Sequence, residues 1–218
     1  MPAKWKKFVH NGVYFPPEYQ TRGLSVKIKG KKLKLNSEQE EMAYAWAKKL
    51  ATPYVQDPVF RENFLTDFKK VLPKEFASIK MDDIDFSEIV KVQEAEKNLT
   101  KEEKKALAAE RKKQKEKLKD KYGYVDIDNN KAEVANWMVE PPGIFIGRGN
   151  HPLRGKWKPR IHSEDVILNL SKDASIPAGK WKQIINGNEF MWVAAWKDKI
   201  SGKMKYVWPS EGSHLRQK

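Results

Sequence analysis

Residues 100–122 read TKEEKKALAAERKKQKEKLKDKY, and the architecture of everything around them turns on this stretch. Thr100 with Glu103 makes a capping box, so a helix starts here and is separated near Leu99-Thr100 from an earlier one that begins at about Phe86. Ten basic and five acidic residues stand between Lys101 and Lys121, while Ala106, Leu107, Ala109 and Leu118 give only a sparse apolar stripe. Such a helix projects from a folded body or bridges parts of it. Its Glu–Lys spacings support helicity in water, so the charge run needs no ligand to explain it.

Two shorter helices precede it. Ser37 followed by Glu40 matches a capping box, and Met42, Ala43, Trp46, Ala47 and Leu50 mark one apolar face that ends before Pro53. Asp57-Pro58 starts the second, in which Phe60, Phe64 and Phe68 recur every four residues as a packing seam. Asp82, Asp83, Asp85 and Glu88 resemble a metal or carboxylate cluster, but helix capping and a solvated face account for them.

The flanks carry strands. Phe8-Val9-His10 and Val13-Tyr14-Phe15 flank Asn11-Gly12, a hairpin signal, and Leu24–Ile28 and Lys31–Leu35 flank Lys29-Gly30 as a second hairpin. From Thr21 to Asn36 there are six basic residues and no acid, which fits either a lysine-protected edge strand or a groove-facing surface. After Gly123, Tyr124–Ile127 alternates, Asp128-Asn129-Asn130 turns, and Val134–Val139 reads as another strand. Val166–Leu170, Lys182–Ile185, Phe190–Trp196 and Met204–Trp208 follow, with turn signals at Asn186-Gly187 and Ser201-Gly202 that predict an antiparallel meander. The expected class is α+β, a mostly antiparallel β body with a helical insertion.

The 218 residues suffice for one sizeable core or two small ones. With 43 Lys and Arg against 29 Asp and Glu, the net charge of +14 favours a polyanionic partner. No cysteine is present, which excludes disulfides, thiol nucleophiles and cysteine-bound zinc. His10, His151, His162 and His214 are too scattered for a local metal motif, and no metal or cofactor is expected. No run approaches the roughly 20 apolar residues of a membrane span, and the first residues lead into no signal-peptide core. An intracellular location away from the membrane is expected.

The most informative motif is Glu140-Pro141-Pro142-Gly143-Ile144-Phe145-Ile146-Gly147-Arg148-Gly149-Asn150-His151-Pro152. Glycines on both sides of Arg148 allow close backbone approach to a ligand and leave the guanidinium accessible. It is not a dinucleotide fingerprint, because the third glycine and the strand-to-helix context are missing. Between Gly143 and His162 lie Arg148, Arg154, Lys156, Lys158 and Arg160 and no acid, with Trp157 among them. The patch fits a phosphate-neutralising surface or an ordinary solvated loop, and Trp157 either stacks on an unpaired base or packs inward. His162-Ser163-Glu164-Asp165 supplies the residue types of a hydrolase, yet without a nucleophile elbow it specifies no active site.

Lys4-Trp5-Lys6, His10–Tyr19, Asn63–Phe68, Met138–Gly143, Gly147–Pro152 and Glu164–Asn169 together resemble, in order and over essentially the whole chain, the N-terminal DNA-binding part of the eukaryotic-type (type IB) DNA topoisomerase I core. The resemblance implies the cap half of a clamp around duplex DNA. It implies a β-rich module of residues 1–20 and 104–218 carrying a lip loop, an inserted mixed module of 21–103, and nose-cone-like helices over 87–121. It places Arg148 in the minor groove, with Gly147, Gly149, Asn150 and His151 in the lip. Lys156, Lys158 and Arg160 then lie near phosphates, and Ser201 and Lys205 in a second backbone-contacting segment. Ile146 and Pro159 depart from the family pattern, which commonly has basic residues there.

The same resemblance implies an ATP-independent parent enzyme that relaxes supercoils through a 3′-phosphotyrosine. Its tyrosine and cationic helpers lie beyond the matched region, and none of Tyr14, Tyr19, Tyr44, Tyr54, Tyr122, Tyr124 or Tyr206 falls in that motif. The expected partners are duplex DNA and the C-terminal catalytic part of the same enzyme, with the chain itself a monomer, inactive alone and DNA-associated, in the nucleus of a eukaryote or the nucleoid of an archaeon. Two other readings remain at this point: a basic RNA- or ribosome-associated protein, and a scaffold without salt-dependent duplex binding.

Overall fold

The computed structural model describes residues 3–210, so His214 lies outside the described residues. Strand β1 (Phe8–His10) is followed by β2 (Ser25–Ile28) and β3 (Lys31–Lys34), then by helices α1 (Ser37–Ala47) and α2 (Pro58–Val71). Next come β4 (Ile84–Asp85), α3 (Ser87–Lys97) and α4 (Lys101–Tyr122), then β5 (Tyr124–Ile127) and β6 (Asn130–Glu133). The short pair β7 (Gly143–Ile144) and β8 (Trp157–Lys158) precedes β9 (Val166–Asn169), β10 (Gln183–Ile185), β11 (Ala194–Lys197) and β12 (Met204–Val207). The class is α+β.

The chain divides into two compact units, each discontinuous in sequence. The first takes the residues up to Pro16, Lys104–Pro141 and those from Arg160 onward; the second takes Pro17–Glu103 and Pro142–Pro159. This division differs from the expected modules in one respect that matters for the site: residues 142–159, with the glycine-flanked Arg148, are grouped with the inserted helical unit. Its reason is packing, since Ile144, Ile146 and Trp157 lie against that unit's core.

In the second unit, α1 starts one residue earlier than the Ser37–Glu40 box predicts. Asn36 accepts from the Gln39 amide at 3.0 Å while the Gln39 side chain accepts from the Asn36 amide at 2.9 Å. Glu40 is unavailable for capping because its buried carboxylate accepts from the Tyr19 hydroxyl and the Arg22 and Leu24 amides at 2.7–2.9 Å, tying the 19–24 segment to α1. Asp57 caps α2 through the Val59 and Phe60 amides. The Phe60, Phe64 and Phe68 seam is fully buried, with Trp46 stacked on Phe64 at 4.5 Å between centroids. The β2–β3 hairpin forms as predicted: Lys29 and Gly30 both take positive φ, 49° and 80°, the geometry that matches strand twist, and β3 is the edge of the order β3-β2-β4.

In the first unit, β1 does not hairpin with residues 13–15. It pairs antiparallel with β5, Phe8 opposite Ile127, and Tyr14 makes only an isolated parallel bridge to Met138. The His10 ring takes the inside of the Asn11-Gly12 turn: Nδ1 accepts the Gly12 amide at 2.9 Å and Nε2 donates to the Asn169 carbonyl at 2.8 Å. Residues 134–139 are also not a strand, because Asn136 takes a positive φ of 54° and leaves single bridges at Val134 and Met138.

The expected antiparallel meander is corrected as well. The sheet order is β10-β9-β11-β12, with β10 parallel to β9, and β11 antiparallel to both β9 and β12. Asn169 explains the rearrangement. Its fully buried side chain donates toward the carbonyls of Gly187, Phe190 and Trp192 and accepts the Gly187 amide at 2.9 Å, so the 186–192 segment wraps around it and delivers β11 to the far flank of β9. The Ser201-Gly202 turn does join β11 to β12, Lys197 opposite Met204.

Helix α4 buries no residue, as its sparse apolar stripe predicts, and the Thr100–Glu103 box is present in both directions at 3.1 and 2.7 Å. No described helix is long and apolar enough to cross a membrane.

Candidate nucleic-acid interface

The loop between β7 and β8 is built as a stiff arm on α2. Its base closes through the Phe145 amide to the Lys156 carbonyl (2.8 Å) and the Gly155 amide to the Phe145 carbonyl (2.7 Å). Gly155 is buried with φ 90°, and a Cβ there would fall 2.1 Å from the Phe60 carbonyl oxygen, so the loop backbone lies directly on the first turn of α2. The Asn63 amide donates to the carbonyls of Pro152 (2.9 Å) and Arg154 (2.8 Å). The Arg154 guanidinium makes a two-pronged pair with Asp57, one prong at 3.0 Å, and also reaches the His151 carbonyl at 3.0 Å. Asp67 accepts the Trp157 amide at 2.9 Å and faces Lys156 at 3.6 Å and Lys70 at 2.7 Å.

Farther out, the His151 ring stands edge-on to Phe145 at 5.0 Å and its Nδ1 accepts the Leu153 amide. Gly147 has φ 73°, and a Cβ there would meet the His151 Cβ at 2.7 Å, so only glycine lets the tip turn over this ring. Arg148, Gly149 and Asn150 are then left exposed together. Hydrogen bonds to Arg154 hold the Asp57 carboxyl below its ordinary range.

The expected site residues thus fall into distinct roles. Arg148 and Asn150 are presented; Gly147 and His151 shape the tip. Lys156 is half-buried and faces Asp67, and Lys158 pairs in β8 with Gly143. Trp157 packs against the core, which settles its orientation in favour of packing. The loop's three acidic or amide anchors, Asp57, Asn63 and Asp67, were absent from the sequence-derived site. Asp57-Pro58 was legible as a helix start and Asn63–Phe68 as a stretch of family resemblance, but the use of Asp57 as the partner of Arg154, 97 residues away, is tertiary.

The remaining expected residues belong to the first unit. The Arg160 guanidinium donates to the Pro16 carbonyl at 3.1 Å. Asp198 organises the β11–β12 turn: one oxygen accepts the amides of Ile200 and Ser201 and the Ser201 hydroxyl at 2.6–3.0 Å, and the other lies 3.0 Å from the Lys205 ammonium, which also pairs with Glu140 at 2.7 Å. Burial alone would raise the Asp198 carboxyl, but the Ser201 amide and the Lys205 ammonium hold it far below the carboxylate range. Burial disfavours the Lys205 charge while Glu140 and Asp198 more than restore it.

Among the described residues no group of three His, Cys, Asp or Glu could hold a metal ion. Two of the tyrosines are poor nucleophiles: burial and a hydrogen bond to Glu96 push Tyr44 up to about 12, and burial with Glu40 pushes Tyr19 higher. Ser163 accepts the Lys180 amide and Asp165 the His162 amide, so the hydrolase-like run is occupied in turns. Asp83 and Asp85 accept the Lys80 and Ser87 amides, as the capping reading expects. What the arrangement offers chemically is cationic contact with an anion.

Comparison with known proteins adds the lineage. Residues 3–209 match the family described as eukaryotic DNA topoisomerase I, DNA binding fragment. DNA topoisomerase 1 alpha of Arabidopsis thaliana is 43% identical over 98% of this chain and 24% of its own length. The Homo sapiens DNA topoisomerase 1 is 39% identical over 98% of this chain and 29% of its own length. The chain therefore spans roughly a quarter of the length of such relatives.

Proposed function

The chain belongs to the eukaryotic DNA topoisomerase I family, in its DNA-binding fragment, and from that premise we propose that it binds duplex DNA with little sequence preference as the cap half of a clamp. The observation that carries the reading is the loop tip: an exposed arginine between two glycines, on an arm fastened by Asp57 and Asn63. The loop backbone beneath the arginine is already fastened, so little loop ordering is needed on contact, and the acceptor-rich floor of a minor groove suits a guanidinium. Gly149, Asn150 and His151 complete the lip; Lys156, Lys158 and Arg160 lie along its base in sequence, and Ser201 with Lys205 forms a second backbone-contacting segment. Phosphate and groove-floor contacts carry little base identity, hence the weak sequence preference.

In this reading the parent enzyme is a type IB topoisomerase, independent of ATP. Its C-terminal part supplies the tyrosine that forms a 3′-phosphotyrosyl bond with one strand, and the cap encloses the duplex while the free end rotates. The chain alone encloses without cleaving and works at nuclear DNA. Fluorescence anisotropy of matched duplex and single-stranded DNA across a salt series tests it. The expected result is duplex preference with a steep salt slope. Preference for single strands would instead favour RNA-type recognition, and no binding would mean that both clamp halves are required or that the chain is a scaffold.

A further inference from the structure

We infer that Lys182 and Lys197, which none of the expected contacts includes, form a phosphate-gripping pair for the backbone of duplex DNA in the cleft beside the β11–β12 turn. The inference rests on the duplex-binding reading and extends its second segment. The cleft measures about 560 Å³ and is lined by Asp165, Lys182, Lys197, Asp198, Lys199 and Ser201, all in the first unit.

Its charges are unequally spent. Asp165 accepts the His162 amide at 2.9 Å and the Lys199 ammonium at 2.8 Å, and Lys199 also donates to the Arg160 carbonyl at 2.8 Å. Asp198 is committed to the Ile200 and Ser201 amides, the Ser201 hydroxyl and Lys205. Lys182 and Lys197 are exposed and have no ion-pair partner among the described residues. Two ammonium groups lining one cleft whose carboxylates are already taken leave it with positive charge available to an incoming anion. Lys205, the choice from sequence, is instead tied down by Glu140 and Asp198 and steadies the turn.

The strand order sets the spacing. The Lys182 amide bonds the Val166 carbonyl on one flank of β9, and Trp196, next to Lys197, is opposite Val166 on the other flank. The two backbones are therefore two strand spacings apart, roughly 10 Å. Their flexible four-carbon stems let the two ammoniums converge on one phosphate or reach neighbouring phosphates of one strand, and either way about two backbone charges are neutralised.

The test is duplex anisotropy over a salt series with the whole chain, comparing wild type, K182Q/K197Q, K182R/K197R and the charge-matched control K112Q/K113Q, two exposed lysines of α4. All four should melt at similar temperatures, since these lysines are exposed. The Gln pair should make the slope of log K against log salt shallower by roughly 2, the Arg pair should keep it, and the control should stay near wild type. A Gln pair indistinguishable from wild type, or a control that loses as much, overturns the inference while leaving duplex binding intact. If wild type itself binds no duplex, the duplex reading falls and this inference with it.

Discussion

Gly155 has no room for even one methyl group, because the Phe60 carbonyl occupies the place where its Cβ would lie. Gly155→Ala should cost about 3 kcal/mol through overpacking and a strained positive φ, read as a lower urea midpoint. An unchanged midpoint would mean that the loop is not seated on α2. Arg148→Ala is the complementary case, since the side chain is exposed and bears nothing of the fold. Its melting temperature should match wild type while duplex affinity falls roughly tenfold, about 1.4 kcal/mol; equal affinity would remove Arg148 from the contact set. At this scale the sequence revealed the tip and hid its support. A glycine-arginine-glycine run is visible in three adjacent letters, whereas the Asp57–Arg154 pair and the Asn63 bonds join residues about 90 apart that no local pattern relates.

Among the elements, the helices and the β2–β3 hairpin were legible because their causes are local, whereas Asn11-Gly12 gives the same local signal and turns without a hairpin. Asp57-Pro58, the Thr100–Glu103 box and Lys29-Gly30 each act within a few residues. Strand order was not legible, because it depends on what fills the space between crossings. Asn169 is the clearest instance: a polar residue in the apolar run Val166–Leu170 whose side chain holds the 186–192 segment in place. Asn169→Leu, similar in bulk but without donors, should leave the Gly187 amide and several carbonyls unpaired and cost at least about 3 kcal/mol. Thermal melting would register this, and a loss under about 1 kcal/mol would mean those groups find water instead. The disruption should centre on the first unit, since every partner of Asn169 lies there.

For the whole molecule, acid is the condition that discriminates. His10 is buried, and desolvation lowers its pKa from 6.5 to about 4 despite the bond to the Asn169 carbonyl. Between these values the unfolded chain binds a proton that the folded chain refuses. The contribution of the neutral ring is thus complete above pH 6.5 and is lost as pH falls toward 4, on the order of 3 kcal/mol in all. Urea midpoints at pH 7, 5.5 and 4.5 should decline accordingly, and His10→Gln should flatten that part of the decline. A wild-type profile no steeper than the variant's would show that the ring is protonated when folded.

The interleaving of the two units also bears on how the chain is made. Strand β1 leaves the ribosome well over a hundred residues before its neighbour β5 has been fully translated, since Phe8 pairs with Ile127, and the His10 ring waits longer still for Asn169. A nascent chain therefore carries Trp5, Phe8 and Val13, all buried in the finished fold, as uncovered surface while the helical unit is synthesised in between. Such long-range closure is slow and exposes sticky segments meanwhile. The amino-terminal segment is where a chaperone has the longest opportunity to act.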